Sequence, residues 1–262
     1  DGTSSVALLS IYLKSQGCQI STYFPDRNLE GYGISTKAID LASRSNQNLI
    51  IALDCGIKAH DQVNYALEKE IEFIICDHHN PDESIPNALA ILNPKRKDCL
   101  YPFKELCGCG VGFKLIQALE LKINNKIDNI INYLDLVAIA IAADIVPLVG
   151  ENRILAHYGL RVINESPRPG IKAFTKNAKK KELSIKDVVF QIAPKINAAG
   201  RIKHGIHAVS LLSELDYTTA VQFASEIEDT YDLIISNPPF YSDDYKSDDK
   251  ARNTARFTDT LP

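Results

Sequence analysis

The chain has 262 residues, 45% of them hydrophobic and 24% charged, with a formal net charge of −4. That balance excludes dominant disorder and a surface coated in phosphate-binding charge, although 29 lysines and arginines allow a locally basic groove, and the length suits one large or two small domains. The longest apolar stretch, residues 136–150, is interrupted by Asp144 and falls short of the roughly 20 residues that span a bilayer, so no transmembrane helix is expected.

In chain order, Val6, Leu9 and Leu13 recur at helical spacing with Leu8 and Tyr12, and Thr3 or Ser4 can cap them, which predicts a helix over 3–16. Residues 18–24 read as a strand, 35–43 as a helix, 48–53 as a buried strand, 60–69 as a helix, 72–76 as a second buried strand and 88–92 as a short one. The pattern then turns helical over 111–123, 127–143, 152–163, 184–191 and 206–228, punctuated by Pro167-Arg168-Pro169-Gly170. Short apolar strands alternating with helices of about ten residues predict an α/β fold, a parallel sheet with helices on both faces. A mostly helical connector or second lobe is expected after about residue 150, and no internal repeat is visible.

In such sheets ligands bind at the carboxyl ends of the strands. The segments 48–53 and 72–76 run directly into Asp54 and Asp77, so both carboxylates are expected on one edge. Asp54-Cys55-Gly56, Asp77-His78-His79 and Ala143-Asp144 together offer carboxylates and imidazoles, a set that suits magnesium or manganese, with the nitrogen ligand favouring manganese. Such a cluster can hold two ions about 4 Å apart and lower the pKa of a shared water. Any one of these aspartates, taken alone, reads as a helix cap, but two adjacent histidines at a strand end concentrate ligating groups where this fold places its sites. Cys18, Cys55, Cys76, Cys99, Cys107 and Cys109 form no C-x-x-C pair and read as reduced thiols, with the cytoplasm as the default compartment. Gly108, Gly110 and Gly112 follow a proline-containing segment rather than a strand; close packing at a helix start and backbone near a substrate explain them equally well.

These motifs, in this order, resemble the DHH phosphoesterase superfamily. More narrowly, the segments 25–33, 107–114 and 195–201 are similar to those of the RecJ single-stranded-DNA exonucleases, over residues 1 to about 228. The resemblance implies a Rossmann-like domain that uses two divalent ions, Mn2+ or Mg2+, to hydrolyse single-stranded DNA from its 5′ end to mononucleotides. By motif, Asp54, His78 and Asp144 would be metal ligands, Asp77 would orient the neighbouring imidazole, and His79 would contact the scissile phosphate. Arg27, Asn197 and Arg201 would bind substrate, because arginine's planar fork suits a pair of phosphate oxygens. A turn residue after Pro25 and a helix-end charge are equal readings of the two arginines. Lys195 stands where the family usually has arginine, which keeps the charge and loses the bidentate geometry.

The family's first motif carries an Asp-x-Asp pair before an Asp-Gly-Thr segment, of which Asp1-Gly2-Thr3 is present here. With no methionine in the chain, a cut start is expected, and with it weak binding of one ion. Beyond about Glu228, Asn237-Pro238-Pro239-Phe240 resembles the substrate motif of AdoMet-dependent adenine-amine methyltransferases acting on tRNA, with no cofactor loop upstream. The expected organisation is therefore a metal domain over 1–150, a helical connector over 151–228, and a foreign tail over 229–262 that replaces a second lobe. A phosphodiesterase for short oligonucleotides or cyclic dinucleotides, and a folded remnant without activity, are the rival readings.

Overall fold

The computed structural model describes residues 1–26, 29–123, 126–176, 182–202 and 205–228, with the backbone alone for 198–202. Residues Asp1–Thr230 fall in one compact unit, and Tyr231–Pro262, with the methyltransferase-like motif, lie outside the described residues. The helix α1 (Gly2–Ser15) leads to α2 (Thr36–Arg44), β1 (Leu49–Leu53), α3 (His60–Leu67), β2 (Glu72–Cys76) and β3 (Ala90–Leu92). The strands pair in parallel in the order β1-β2-β3, which bears out the predicted α/β class.

Alternation along the strands gives the sheet its two covered faces. Ile50 and Ala52 of β1 join Phe73 and Ile75 of β2 against Ile39 and Ala42 of α2 and Val63 and Ala66 of α3. Burying each larger side chain of this cluster contributes roughly 1.5–3 kcal/mol. On the opposite face Leu53 and Leu8 close around Gly112 of α4 (Gly108–Ile123). The helix α5 (Leu134–Asp144) is buried from Leu134 to Ala142, because its sequence over that stretch is apolar except for Asp135, and it packs among α1, α4 and α6 (Gly150–Glu165). The helices α7 (Pro169–Thr175), α8 (Ile185–Asp187), α9 (Ala193–Ile202), α10 (Gly205–Ser213) and α11 (Tyr217–Glu228) complete the helical part, with a π-helical turn over Val188–Ile192. No helix among the described residues is long and apolar enough to cross a membrane.

Three expectations need correction. Residues 18–24 form no strand: the Cys18 amide turns back to the Leu13 carbonyl at 3.0 Å, closing the end of α1 instead of joining a ladder. The span 127–143 is not one α-helix but a 3-10 segment, Ile127–Tyr133, followed by α5. Asp128, Asn129 and Asn132 are weak helix formers, and the Asn129 amide reaches Glu120 at 2.6 Å. The span 206–228 breaks into α10 and α11, because the Glu214 carboxylate accepts the amides of Leu215 and Asp216, at 2.8 and 2.9 Å. Asp216 then caps α11 by accepting the Thr219 amide at 2.8 Å. Helices α7 and α9 form where the hydrophobic periodicity predicts none.

The connection into α2 is held by one carboxylate. Glu30 accepts the Tyr23 hydroxyl at 2.7 Å, the Asp26 amide at 3.1 Å and the Ser35 hydroxyl. The Ser35 and Tyr23 hydrogen bonds, working against burial, hold its carboxyl down to about 2. A lowered folded pKa means that the stabilisation is complete above the unfolded value and is lost as pH falls through about 2. The difference in urea midpoint between wild type and Glu30→Gln is expected to be constant above about pH 5 and to shrink steadily below it, a comparison that cancels the other carboxylates.

Candidate metal centre

The sheet register brings the first two carboxylates together. Leu53 pairs with Cys76, so Asp54 and Asp77 leave adjacent strands side by side. Each extends its ladder by one bond: the Asp54 amide donates to the Cys76 carbonyl at 2.9 Å and the Asp77 amide to Leu92 at 3.0 Å. Asp54 then takes φ 61°, in the left-handed region that aspartate tolerates better than most residues. This turn aims its carboxylate at His78, whose Nε2 lies 3.1 Å from Asp54 Oδ1.

Two further carboxylates reach the same imidazole from helix ends. Asp144, the last residue of α5, places Oδ2 3.6 Å from His78 Nε2. Asp1, at the start of α1, places Oδ2 3.7 Å from it. The Asp1 carboxylate also accepts the amides of Gly108 and Cys109, at 2.7 and 2.8 Å, where the free N–H groups and dipole of α4 favour an anion. A Cβ on Gly108 would lie 2.5 Å from Asp54 Oδ1, so glycine is required there by the approach of α4 to the acidic group. Of the two sequence readings of these glycines, close packing at a helix start is the one the geometry supports at Gly108.

Asp54 Oδ1, His78 Nε2 and Asp144 Oδ2 are buried and make no hydrogen bond among the described residues, although they face one another. Leaving one such buried group unsatisfied costs about 1–3 kcal/mol, and more for a charged one, so three of them converging calls for a cation between them. A divalent ion with oxygen and imidazole ligands meets that need, and the donor set fits manganese or magnesium. Among the described residues the ligating atoms form two overlapping groups, Asp54 with His78 and His79, and Asp1 with His78 and Asp144.

Asp77 stands behind this group, with a side chain 1% exposed. It accepts the amides of Ile57, His78 and His79, at 2.9, 2.8 and 3.2 Å, and its Oδ1 lies 2.7 Å from His79 Nδ1. Burial pushes its carboxyl up, but the His79 ring and the Ile57 and His79 amides outweigh burial and hold it below the ordinary value. The same contact raises the His79 imidazole against the opposing effect of burial. The His79 side chain is 58% exposed, against 9% for His78, so the two neighbouring rings face different surroundings. Burial pushes the thiols of Cys76 and Cys109 up to about 12, which leaves them poor thiolate ligands.

The sequence reading omits Asp1 from the ligand set, although its position before an apolar helix was visible. It groups Asp54, His78, His79 and Asp144, which lie together, and it places Asp77 behind an imidazole, which proves to be that of His79. Asn197 sits half-buried in α9, outside these groups. Arg201 belongs to the same helix by its backbone, while its side chain and Arg27 lie outside the described residues.

Residues 1–141 match the DHH family, N-terminal domain. The single-stranded-DNA-specific exonuclease RecJ of Bacillus subtilis is 39% identical over 230 residues, which are 87% of this chain and 28% of that protein. A crystal structure of exonuclease RecJ bound to manganese superposes with a TM-score of 0.78 at 30% identity, over 87% of this chain and 57% of its own. RecJ of Thermus thermophilus in complex with Mn2+ gives 0.75 at 28% identity, over 87% and 33%. The chain thus spans well under half the length of the curated Bacillus relative. A separate match of 41 residues, 58% identical, is to a tRNA1(Val) (adenine(37)-N6)-methyltransferase of Flavobacterium johnsoniae, and covers 16% of this chain and 17% of that enzyme.

Proposed function

The chain belongs to the DHH family, and from that membership we propose that it forms the metal-holding part of a cytoplasmic exonuclease of the RecJ type. The proposed reaction is hydrolysis of single-stranded DNA from its 5′ end to mononucleotides, supported by Mn2+ or Mg2+. The observation that carries the proposal is the convergence of Asp54 Oδ1, His78 Nε2 and Asp144 Oδ2, all buried and without hydrogen bonds among the described residues. A bound divalent ion supplies a water of lowered pKa and neutralises charge on the phosphate.

The residues divide the remaining work. Asp54, His78 and Asp144 hold the ion, and Asp1 adds a carboxylate fixed by the first amides of α4. Asp77 anchors His79 through Nδ1, which leaves Nε2 of this half-exposed ring to donate to an oxygen of the scissile phosphate. Arg27, Asn197 and Arg201 grip the DNA. We assign the metal domain to residues 1–150, because the metal-facing side chains all precede residue 150, the helical connector to 151–228 within the same compact unit, and the tail to 229–262.

The test incubates the 262-residue chain and Mn2+ with a single-stranded 30-mer and, separately, a dinucleotide. Release of mononucleotides from the 30-mer is the expected result. Cleavage confined to the dinucleotide would transfer the reading to an oligonucleotide phosphodiesterase, and cleavage of neither would leave a metal-binding fold without activity.

A further inference from the structure

The first turn of α6 joins the two backbone segments that carry half of the metal centre. Asn152 is fully buried, and its amide nitrogen donates to the carbonyl of Glu105 at 2.6 Å and to that of Pro147 at 3.0 Å. Glu105 lies three residues before Gly108, whose amide holds Asp1; Pro147 lies three residues after Asp144. One side chain therefore ties the approach to α4 to the turn that leaves α5.

The surroundings favour this tie over simple filling of space. The Phe103 ring lies against Gly150, where a Cβ would come within 2.7 Å of it, so the loop before α4 is already pressed onto the start of α6. Glu151 accepts the Tyr101 hydroxyl at 2.6 Å and pairs with Lys114 of α4. These contacts dock α6 but do not reach the turn after Asp144. The turn itself is held in an unfavourable shape, since Ile145 takes φ 55°, which is costly for a β-branched residue and is not repaid by burial, its exposure being 73%. Meanwhile Asn152 Oδ1 is buried without a partner among the described residues, so the amide gives back only its donor half.

We propose that Asn152 is a positioning residue that fixes Asp144 relative to Asp1 and Asp54 and thereby sets the affinity for the divalent ion. The inference rests on the metal-centre reading above. Residues one step behind a metal site commonly change affinity by about 10- to 100-fold when altered.

The experiment measures Mn2+ binding by calorimetry and thermal unfolding of the full chain without metal. The proteins compared are wild type, Asn152→Ala, the milder Asn152→Ser, Glu151→Gln, Asp144→Asn and the double variant Asp144→Asn with Asn152→Ala. The expected result is binding weakened about tenfold or more in Asn152→Ala, less in Asn152→Ser, and unchanged in Glu151→Gln, which alters the same turn without touching Pro147. Adding Asn152→Ala to Asp144→Asn is expected to weaken binding no further, as for two changes acting through one ligand. Lower thermal stability with unchanged Mn2+ affinity in the Asn152 variants would overturn the proposal and leave the metal centre standing. Absence of Mn2+ binding by the wild-type chain would overturn both. If Asn152→Ala fails to fold, Asn152→Ser against Glu151→Gln decides.

Discussion

Asp54→Asn is expected to weaken Mn2+ binding by at least about a hundredfold and to reduce hydrolysis of single-stranded DNA at least as much, while the apo protein stays folded. The magnitude follows from position: changes one step removed from a metal cost about 10- to 100-fold, and this substitution removes a facing carboxylate. Asparagine is the informative replacement because residue 54 sits at φ 61°. Asparagine visits the left-handed region readily, whereas alanine there adds a steric penalty of roughly 1–2 kcal/mol that would mix misfolding with loss of the ligand. Its amide also keeps the shape that fits beneath Gly108. Calorimetry with Mn2+ and a mononucleotide-release assay check the two halves of the expectation. Wild-type affinity in Asp54→Asn would remove this residue from the centre and shift the ion toward the group of Asp1, His78 and Asp144.

That substitution also shows which parts of the site sequence patterns expose. Asp54 and Asp77 are legible because a buried parallel strand is a continuous apolar run with an obvious end, and residues at such ends share an edge. Asp144 follows from an apolar run too, but the run is a helix, α5, so its place beside His78 is a matter of packing that no local pattern encodes. Asp1 is bound by amides more than a hundred positions away, at Gly108 and Cys109, and such a contact leaves no trace in spacing. Gly108 is a similar case: the glycine spacing leaves helix-start packing and a nearby substrate equally open, while the physical demand is room for one carboxylate. The strand expected at 18–24 failed for the complementary reason, that β-propensity needs a neighbouring ladder to be realised. The breaks at Tyr133 and at Glu214 come from side chains that capture backbone amides or reach across to another helix, and these compete with helix extension residue by residue.

Asp135 and Arg168 form another long-range pair hidden from the sequence, and Arg168→Ala is expected to destabilise the fold by about 3–5 kcal/mol. Asp135 is 1% exposed within α5, and its carboxylate accepts Arg168 Nε at 2.5 Å and Nη2 at 2.6 Å. Arg168 Nη1 in turn donates to the Leu212 carbonyl of α10 at 3.1 Å, so one guanidinium joins α5, the start of α7 and α10. Truncating the arginine leaves a buried carboxylate that, among the described residues, accepts only the Leu136 amide at 2.7 Å, and an uncompensated buried charge is what makes such losses large. For a domain stabilised by about 5–15 kcal/mol, this would expose a sizeable unfolded fraction at moderate temperature. Removing both charges, with Asp135→Leu and Arg168→Met together, is expected to recover most of the loss, because the desolvation cost goes with the attraction. Urea unfolding of the two single variants and the double variant measures the coupling directly. Additive losses would show that Arg168 acts through its packing and its bond to Leu212 rather than through Asp135.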